Sequence, residues 1–380
     1  MIDPFELPFS SADWEDLRRR IRQTRWPDEI SNSDWIDGAS RVFLQELCDY
    51  WGDSFDWKSQ VLRLSKLPHY HMQTTGGKVH FLHFKSSGSA PIPLVMTHGW
   101  PGSFLEFLEI VPLLTSPEVH GFSNQHSFDV IIPSLPGFGF SESPKARGTD
   151  AFRIAAMWVE LMDKLGYDRF AAQGGDIGAG VSTALGLRHS EHLIGIHLNY
   201  IPGSYRPHIA AGAEITPEEQ NFLSGAARWY DENGAYAHLQ GTRPQTLAYA
   251  LNDSPVGLAA WLLEKFRAWS DCDGDVYKSF SKDTLLTNVT LYWMTQTIAS
   301  SFRMYQEGRR SPLHFTSTDY VQPPCAIACF PKEIVMPPRS WVDRGYNVSR
   351  WTVFPEGGHF AAAEVPELLA ADIHAFFGSL

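Results

Sequence analysis

An aspartate stands at the centre of a glycine-rich turn, residues 174–178, which read Gly-Gly-Asp-Ile-Gly. Residues 169–173 before it predict a short buried strand, and residues 179–188 after it predict a helix. Glycines suit a sharp strand-to-helix turn because the strained backbone leaves no room for flanking Cβ atoms. Asp176 could therefore be a carboxylate nucleophile that attacks an sp³ carbon. An acidic helix N-cap would give the same pattern, and the turn alone does not decide between the two.

Two residues near the end of the chain extend this chemistry. Glu333 and His359 each come just after one of the last two predicted strands. The resulting chain order of nucleophile, acid and histidine is the order found in α/β-hydrolases. Because each residue lies at the end of a strand, we interpret His359 as a general base and Glu333 as the acid that orients it. Asp343 is a competing acid, but it falls in a predicted helix.

Backbone N–H groups beside the turn could stabilise an oxyanion. Residues 98–102 read His-Gly-Trp-Pro-Gly and follow another predicted strand. Pro101 has no N–H, so the donor from this loop must be Trp100 or Gly99. Paired with the N–H of Ile177, the N–H of Trp100 would form an oxyanion hole. A simple tight turn would also explain the loop.

Strands that alternate with helices must position these residues. The pattern predicts strands at residues 92–97, 129–133, 169–173, 193–199, 326–330 and 350–354. It predicts an α/β-hydrolase fold, with a mostly parallel sheet and helices on both faces. Three glycine-rich loops, at 98–102, 136–141 and 174–178, follow these strands. Ligands bind at the carboxyl ends of such strands, so the three loops predict one shared site.

Two stretches depart from the alternating pattern. Residues 1–75 predict two helices rich in aromatic side chains, which we interpret as an N-terminal arm that packs on the rest. Residues 203–310 are helical throughout and predict an inserted lid. The core would then comprise residues 76–202 and 311–380.

Composition excludes several classes of function. The chain has 380 residues, 43% of them hydrophobic, and a net charge of −12 without a dense basic block, so nucleic-acid binding is not expected. Neither a secretory signal nor a membrane span is predicted, and the cysteines form no Cys-x-x-Cys pair. We therefore expect reduced thiols and a cytoplasmic protein. The histidines near the predicted first hairpin lack acidic or cysteine partners at ligand spacing, so a metal site is not expected.

The motifs together resemble those of microsomal-type epoxide hydrolases. The resemblance covers nearly the whole chain, and it rests on the aspartate turn and on the segments at residues 25–27, 98–103, 251–259 and 357–362. It implies soluble relatives without a membrane anchor, and a homodimer would be reasonable. It also implies a small hydrophobic epoxide and water as reactants, and this reaction requires no organic cofactor.

Further roles come from the family resemblance. It carries two lid tyrosines over to Tyr236 and Tyr305, which would donate hydrogen bonds to the epoxide oxygen. Asp176 would then attack a ring carbon, and water activated by His359 would hydrolyse the resulting ester. Aromatic side chains near the site, Trp100 and Phe138, suggest an apolar substrate.

Two alternatives stay open. A haloalkane or haloacid dehalogenase also uses an aspartate nucleophile, but it needs halide-binding N–H donors in place of the tyrosine pair. A hydrolase-fold protein that binds hydrophobic ligands without catalysis would not need Asp176, Glu333 and His359 together.

Overall fold

The computed structural model describes residues 2–31, 34–122 and 125–380. These residues form a nine-stranded sheet in the order β1-β2-β3-β5-β4-β6-β7-β8-β9. Strands β4 to β9 are parallel, and β1, β2 and β3 extend the sheet in antiparallel pairing. The strands are β1 Ile2–Pro4, β2 His69–Thr74, β3 Gly77–Phe84, β4 Ile92–Thr97, β5 Phe128–Pro133, β6 Phe170–Gly174, β7 Leu193–Leu198, β8 Val321–Cys329 and β9 Tyr346–Val353.

Helices cover both faces of this sheet. They are α1 Ser11–Arg22, α2 Arg41–Asp53, α3 Trp57–Leu64, α4 Val111–Thr115, α5 Ala151–Lys164, α6 Asp176–Arg188, α7 Pro217–Asn233, α8 Ala235–Thr242, α9 Pro244–Leu251, α10 Pro255–Trp269, α11 Lys282–Thr295, α12 Ile298–Ser301, α13 Arg303–Arg310, α14 Arg339–Asp343, α15 Ala361–Glu364 and α16 Pro366–Phe377. Side chains alternate along β4: Val95 joins a core with α5, while Leu94 and Met96 join a core with α16. The predicted α/β-hydrolase fold is confirmed.

The N-terminal helices contact the helical insertion, which we define as residues 203–310. The Trp51 indole N–H donates a buried hydrogen bond of 2.9 Å to the Thr290 hydroxyl. The Tyr50 hydroxyl donates to Asp283 at 2.7 Å. These bonds attach α2 to the insertion. The N-terminal helices alone would bury too little apolar surface to be stable. The division of the chain into arm, core and lid stays a prediction.

Helix boundaries were the weakest part of the sequence interpretation. Residues 103–114 do not form one helix: a 3₁₀ turn, Phe104–Phe107, is followed by a separate short helix, α4. Pro112 explains the new start because proline fits only the first turn of a helix. The helical stretch is also interrupted near residue 296, because Gln296 has φ +53° and ends α11. Strand β1 and helix α3 were missed.

The close approach of α6 to β4 sets the position of the aspartate turn. A Cβ at Gly178 would lie 1.8 Å from the backbone oxygen of Thr97. Two residues further, a Cβ at Gly180 would lie 3.9 Å from the Cβ of Ala151, which is ordinary contact. Glycine at 178 is thus a packing requirement, whereas glycine at 180 is not.

We predict that Gly178→Ala lowers the free energy of unfolding by about 3 kcal/mol, because α6 must move away from β4. Gly180→Ala is the matched control in the same helix, and its better helix propensity should raise that free energy by up to about 1 kcal/mol. Urea unfolding of both variants measures the difference. Equal stabilities would contradict the packing argument.

Candidate active site

The aspartate turn connects β6 to α6 as predicted, with an unusual backbone. Asp176 is the first residue of α6 and has φ +46°, a left-handed conformation that non-glycine residues rarely adopt. Gly175 occupies the N-cap position, and no side chain caps this helix. The N-cap interpretation of Asp176 is therefore wrong, and the strained backbone points its carboxylate elsewhere.

The Asp176 carboxylate faces the loop after β4. Its Oδ1 accepts the backbone N–H of Trp100 at 2.8 Å. Ile177 follows in the first turn of α6, where backbone N–H groups have no acceptor within the helix. The structure thus places the Trp100 donor against the carboxylate, with Ile177 adjacent in the chain. This contact fixes Oδ1 and leaves Oδ2 for other partners.

A buried histidine connects two carboxylates. His359 Nε2 lies 3.6 Å from Asp176 Oδ2, and His359 Nδ1 lies 2.6 Å from Glu333 Oε1. The side chains of His359 and Glu333 are 3% and 0% exposed. Asp343, the competing acid, pairs with Arg339 at 3.4 Å on α14. The structure therefore brings Asp176, His359 and Glu333 together and keeps Asp343 away.

The two carboxylates control the charge of the imidazole. Burial by itself lowers the pKa of His359, but the negative charges of Glu333 and Asp176 outweigh burial and hold that pKa well above its ordinary value. The ring therefore keeps its proton more strongly than a free imidazole does, with a carboxyl group on either side of it.

Two tyrosines of the helical insertion lie next to the Trp100 ring. Tyr236 belongs to α8 and Tyr305 to α13, and their ring centroids are 5.8 Å apart. The Trp100 ring contacts both, with centroid distances of 5.5 Å to Tyr236 and 5.7 Å to Tyr305. Burial, and then nearby groups including Asp176, raise the pKa of both phenols well above the ordinary value. Both hydroxyls are therefore proton donors at neutral pH.

A pocket of about 620 Å³ brings these groups to a common space, which we call the main pocket. Its lining includes Asp176, Ile177, Tyr236 and Tyr305. The volume and the composition of this pocket suit a small organic ligand. Phe138 does not reach it. That side chain is fully buried and packs 5.3 Å from His98, so its predicted contact with substrate has no support in the structure.

Two residues at the site were missed in the sequence. Tyr200 lines the main pocket, and its ring centroid lies 5.7 Å from that of His359. It comes two residues after the end of β7, so the rule that ligands bind at strand ends could have found it. Glu106 lies behind Asp176 on the short turn after β4, and no periodicity marks it.

Residues 2–31, 34–122 and 125–380 contain neither a metal-binding cluster nor a membrane-spanning helix. No group of three or more histidine, cysteine, aspartate or glutamate side chains there could hold a metal ion. No helix in the described chain is long and apolar enough to cross a membrane.

Comparisons with known proteins agree with this geometry. A family model described as "Epoxide hydrolase N terminus" matches residues 2–107, and one described as "alpha/beta hydrolase fold" matches residues 92–366. The chain is 39% identical to epoxide hydrolase 1 of Oryctolagus cuniculus, over 99% of this chain and 89% of the relative.

Solved structures give the same result. The crystal structure of juvenile hormone epoxide hydrolase from the silkworm Bombyx mori has a TM-score of 0.88 and 30% identity, and the match covers 100% of this chain and 94% of that one. The structure of the Aspergillus niger epoxide hydrolase has a TM-score of 0.85 and 29% identity, covering 100% and 96%. The chain therefore belongs to the epoxide hydrolase family, within the α/β-hydrolase fold.

Proposed function

We propose that this enzyme converts an apolar epoxide and water into a vicinal diol through a covalent ester at Asp176. The observation that carries the proposal is the convergence of one carboxylate and two phenols on the main pocket. A carboxylate can attack carbon, and a phenol can protonate oxygen. Opening an epoxide ring requires both.

Ring opening forms the ester. Asp176 Oδ2 attacks a ring carbon, the ring C–O bond breaks, and its electron pair stays on the epoxide oxygen. Tyr236 or Tyr305 then donates a proton to that oxygen. Raised pKa values keep both phenols protonated before this step. The site has a donor ready where negative charge develops.

Hydrolysis returns the enzyme to its starting state. Water attacks the carbonyl carbon of the ester and gives a proton to His359, which Glu333 holds at 2.6 Å through the other ring nitrogen. The Trp100 N–H, already 2.8 Å from Oδ1, is placed to stabilise the oxyanion, a contact often worth about 3 kcal/mol. Before water attacks, His359 passes its own proton to the phenolate that ring opening leaves. When the intermediate collapses, the ester C–O bond breaks, the proton of the new Asp176 carboxyl passes to the departing alkoxide, and the diol leaves.

An apolar substrate suits the walls of the main pocket. Aromatic rings of Tyr200, Tyr236 and Tyr305 and the aliphatic side chains of Ile177 and Met304 form much of its lining. Burial of an apolar substituent against them stabilises the complex by about 25 cal/mol per Å².

We expect Asp176→Asn to reduce epoxide turnover by about 10⁴-fold or more, because the amide oxygen is a weak nucleophile. Diol formation under saturating substrate measures the loss. Asp163→Asn, at an exposed position on α5, is the control and should be unaffected. Full activity of Asp176→Asn would exclude the ester mechanism.

For His359→Gln we expect ring opening to continue while ester hydrolysis stops, because only the second step needs the base. Intact-protein mass spectrometry should show one substrate mass added per chain, located on the peptide that contains Asp176. The double variant with Asp176→Asn should carry no adduct. An unmodified His359→Gln protein that still consumes epoxide would contradict the assigned role.

Replacing both Tyr236 and Tyr305 with Phe should slow ester formation by about 10³-fold, because the leaving oxygen loses its proton donors. Rapid-quench mass spectrometry of the ester measures this step directly. Tyr249→Phe is the matched control, since Tyr249 is 73% exposed on α9. Normal ester formation in the double variant would show that another group activates the epoxide.

A further inference from the structure

A second cavity lies behind the catalytic aspartate. This rear cavity has a volume of about 340 Å³ and shares none of its described lining residues with the main pocket. Its walls come from α3, from the turn after β4 and from the start of α11. Polar side chains are frequent among them, including Gln60, Ser103, Ser281, Thr284, Thr287 and Asn288. Such walls can keep water molecules hydrogen-bonded.

A small cavity lies between the two larger spaces and shares wall residues with each of them. Asp176, His359, Gly102 and Glu106 line it, and its volume of about 10 Å³ is the lower limit for one water molecule. Asp176 is shared with the main pocket, whereas Gly102 and Glu106 are shared with the rear cavity. A water molecule in this position would lie beside both the nucleophile and the base.

The Glu106 carboxyl is directed at this small cavity. Its Oε2 packs so closely on Gly102 that a Cβ there would lie 2.0 Å from it. None of the described residues forms a hydrogen bond or an ion pair with this carboxyl, unlike the carboxyl of Glu333 on the other side of His359. A carboxyl in that position, without a protein partner, needs water as its partner.

The charge state of Glu106 suits contact with water. Burial raises the pKa of this carboxyl to about 8, with the Asp176 charge adding to the effect and His359 opposing it. At pH 7 the group is therefore a neutral acid, which can both donate and accept a hydrogen bond. A neutral group also avoids repulsion with Asp176.

We propose that Glu106 holds the hydrolytic water next to His359, and that this water arrives through the rear cavity. The proposal rests on the ester mechanism above. Once the ester has formed, the bound substrate occupies the main pocket, so the opposite side remains open for water. One water proton passes to His359 Nε2 as the oxygen bonds to the ester carbon, while the other stays hydrogen-bonded to Glu106. Glu106 itself neither gains nor loses a proton, so it is a positioning residue.

The test separates the two half-reactions at pH 7 in the full chain. Single-turnover mass spectrometry gives the rate of ester formation and the rate of ester decay for Glu106→Ala, Glu106→Gln and Glu109→Ala. Glu106→Ala should slow decay by about 10- to 100-fold, because a displaced water loses its attack geometry, and should leave ester formation within about twofold. Glu106→Gln, which resembles the neutral acid, should keep decay within about threefold. Glu109→Ala is the control at the edge of the same cavity and should match the original protein.

The water route has its own variant. Thr284→Trp places a large side chain at the exposed mouth of the rear cavity and keeps the backbone N–H that Ser281 caps. It should slow ester decay and leave ester formation unchanged, and in a single turnover in H₂¹⁸O the label should still enter the Asp176 carboxylate. Unchanged decay in this variant would overturn the route.

Failure of this proposal is distinguishable from failure of the ester mechanism. If the original protein forms the ester but Glu106→Ala decays at the original rate, the role of Glu106 is excluded and the mechanism stands. Equal slowing of both steps, or a Gln variant as slow as the Ala variant, would also exclude it. If no ester forms even in His359→Gln, the mechanism itself fails.

Discussion

One buried imidazole held between two carboxyl groups is the interaction on which the site depends. His359 contacts Glu333 at 2.6 Å and lies 3.6 Å from Asp176. A buried charge without a partner would be too costly, and the two ring nitrogens give each carboxyl group a partner of its own. The arrangement requires three strand ends to meet, which the parallel order of β6, β7, β8 and β9 provides. The parallel sheet therefore determines where the His359 ring lies relative to both carboxyl groups.

The helical insertion holds the ring as well as covering the main pocket. The carbonyl of Trp269, at the end of α10, accepts the His359 backbone N–H at 2.9 Å. Asp271, two residues on, accepts the Gly357 N–H at 2.9 Å. The carboxylate of Glu364 then accepts N–H groups from both Asp271 and Phe360. Movement of the insertion would therefore displace His359, so this histidine and the two tyrosines of the insertion are mechanically connected.

Sequence patterns predicted the sheet and the triad because both follow from local rules. Buried strands are continuous apolar runs, and Asp176, Glu333 and His359 each come just after one of them. Tyr236 and Tyr305 were different: helices throughout the insertion carry tyrosines, and only family resemblance singled out these two. Phe138 shows the limit of composition, since an aromatic residue in a site loop turned inward to pack on His98. Glu106 could not be found at all, because its environment depends on α11, about 180 residues away, closing over the turn after β4.

The charge balance also sets the order of the two half-reactions in the proposed mechanism. Before alkylation, the pKa of His359 is held high by Glu333 and Asp176, so the ring is protonated and cannot act as a base. Esterification neutralises Asp176 and removes one of those two charges, while burial, which lowers the pKa, remains. The imidazole then releases its proton more readily, and its free nitrogen can accept one from water. Formation of the ester therefore lowers the pKa of His359, so that the histidine can act as the base in hydrolysis of that ester. A carboxylate that attacks first and a histidine that acts second need no conformational change between them, because the covalent step itself changes the electrostatics.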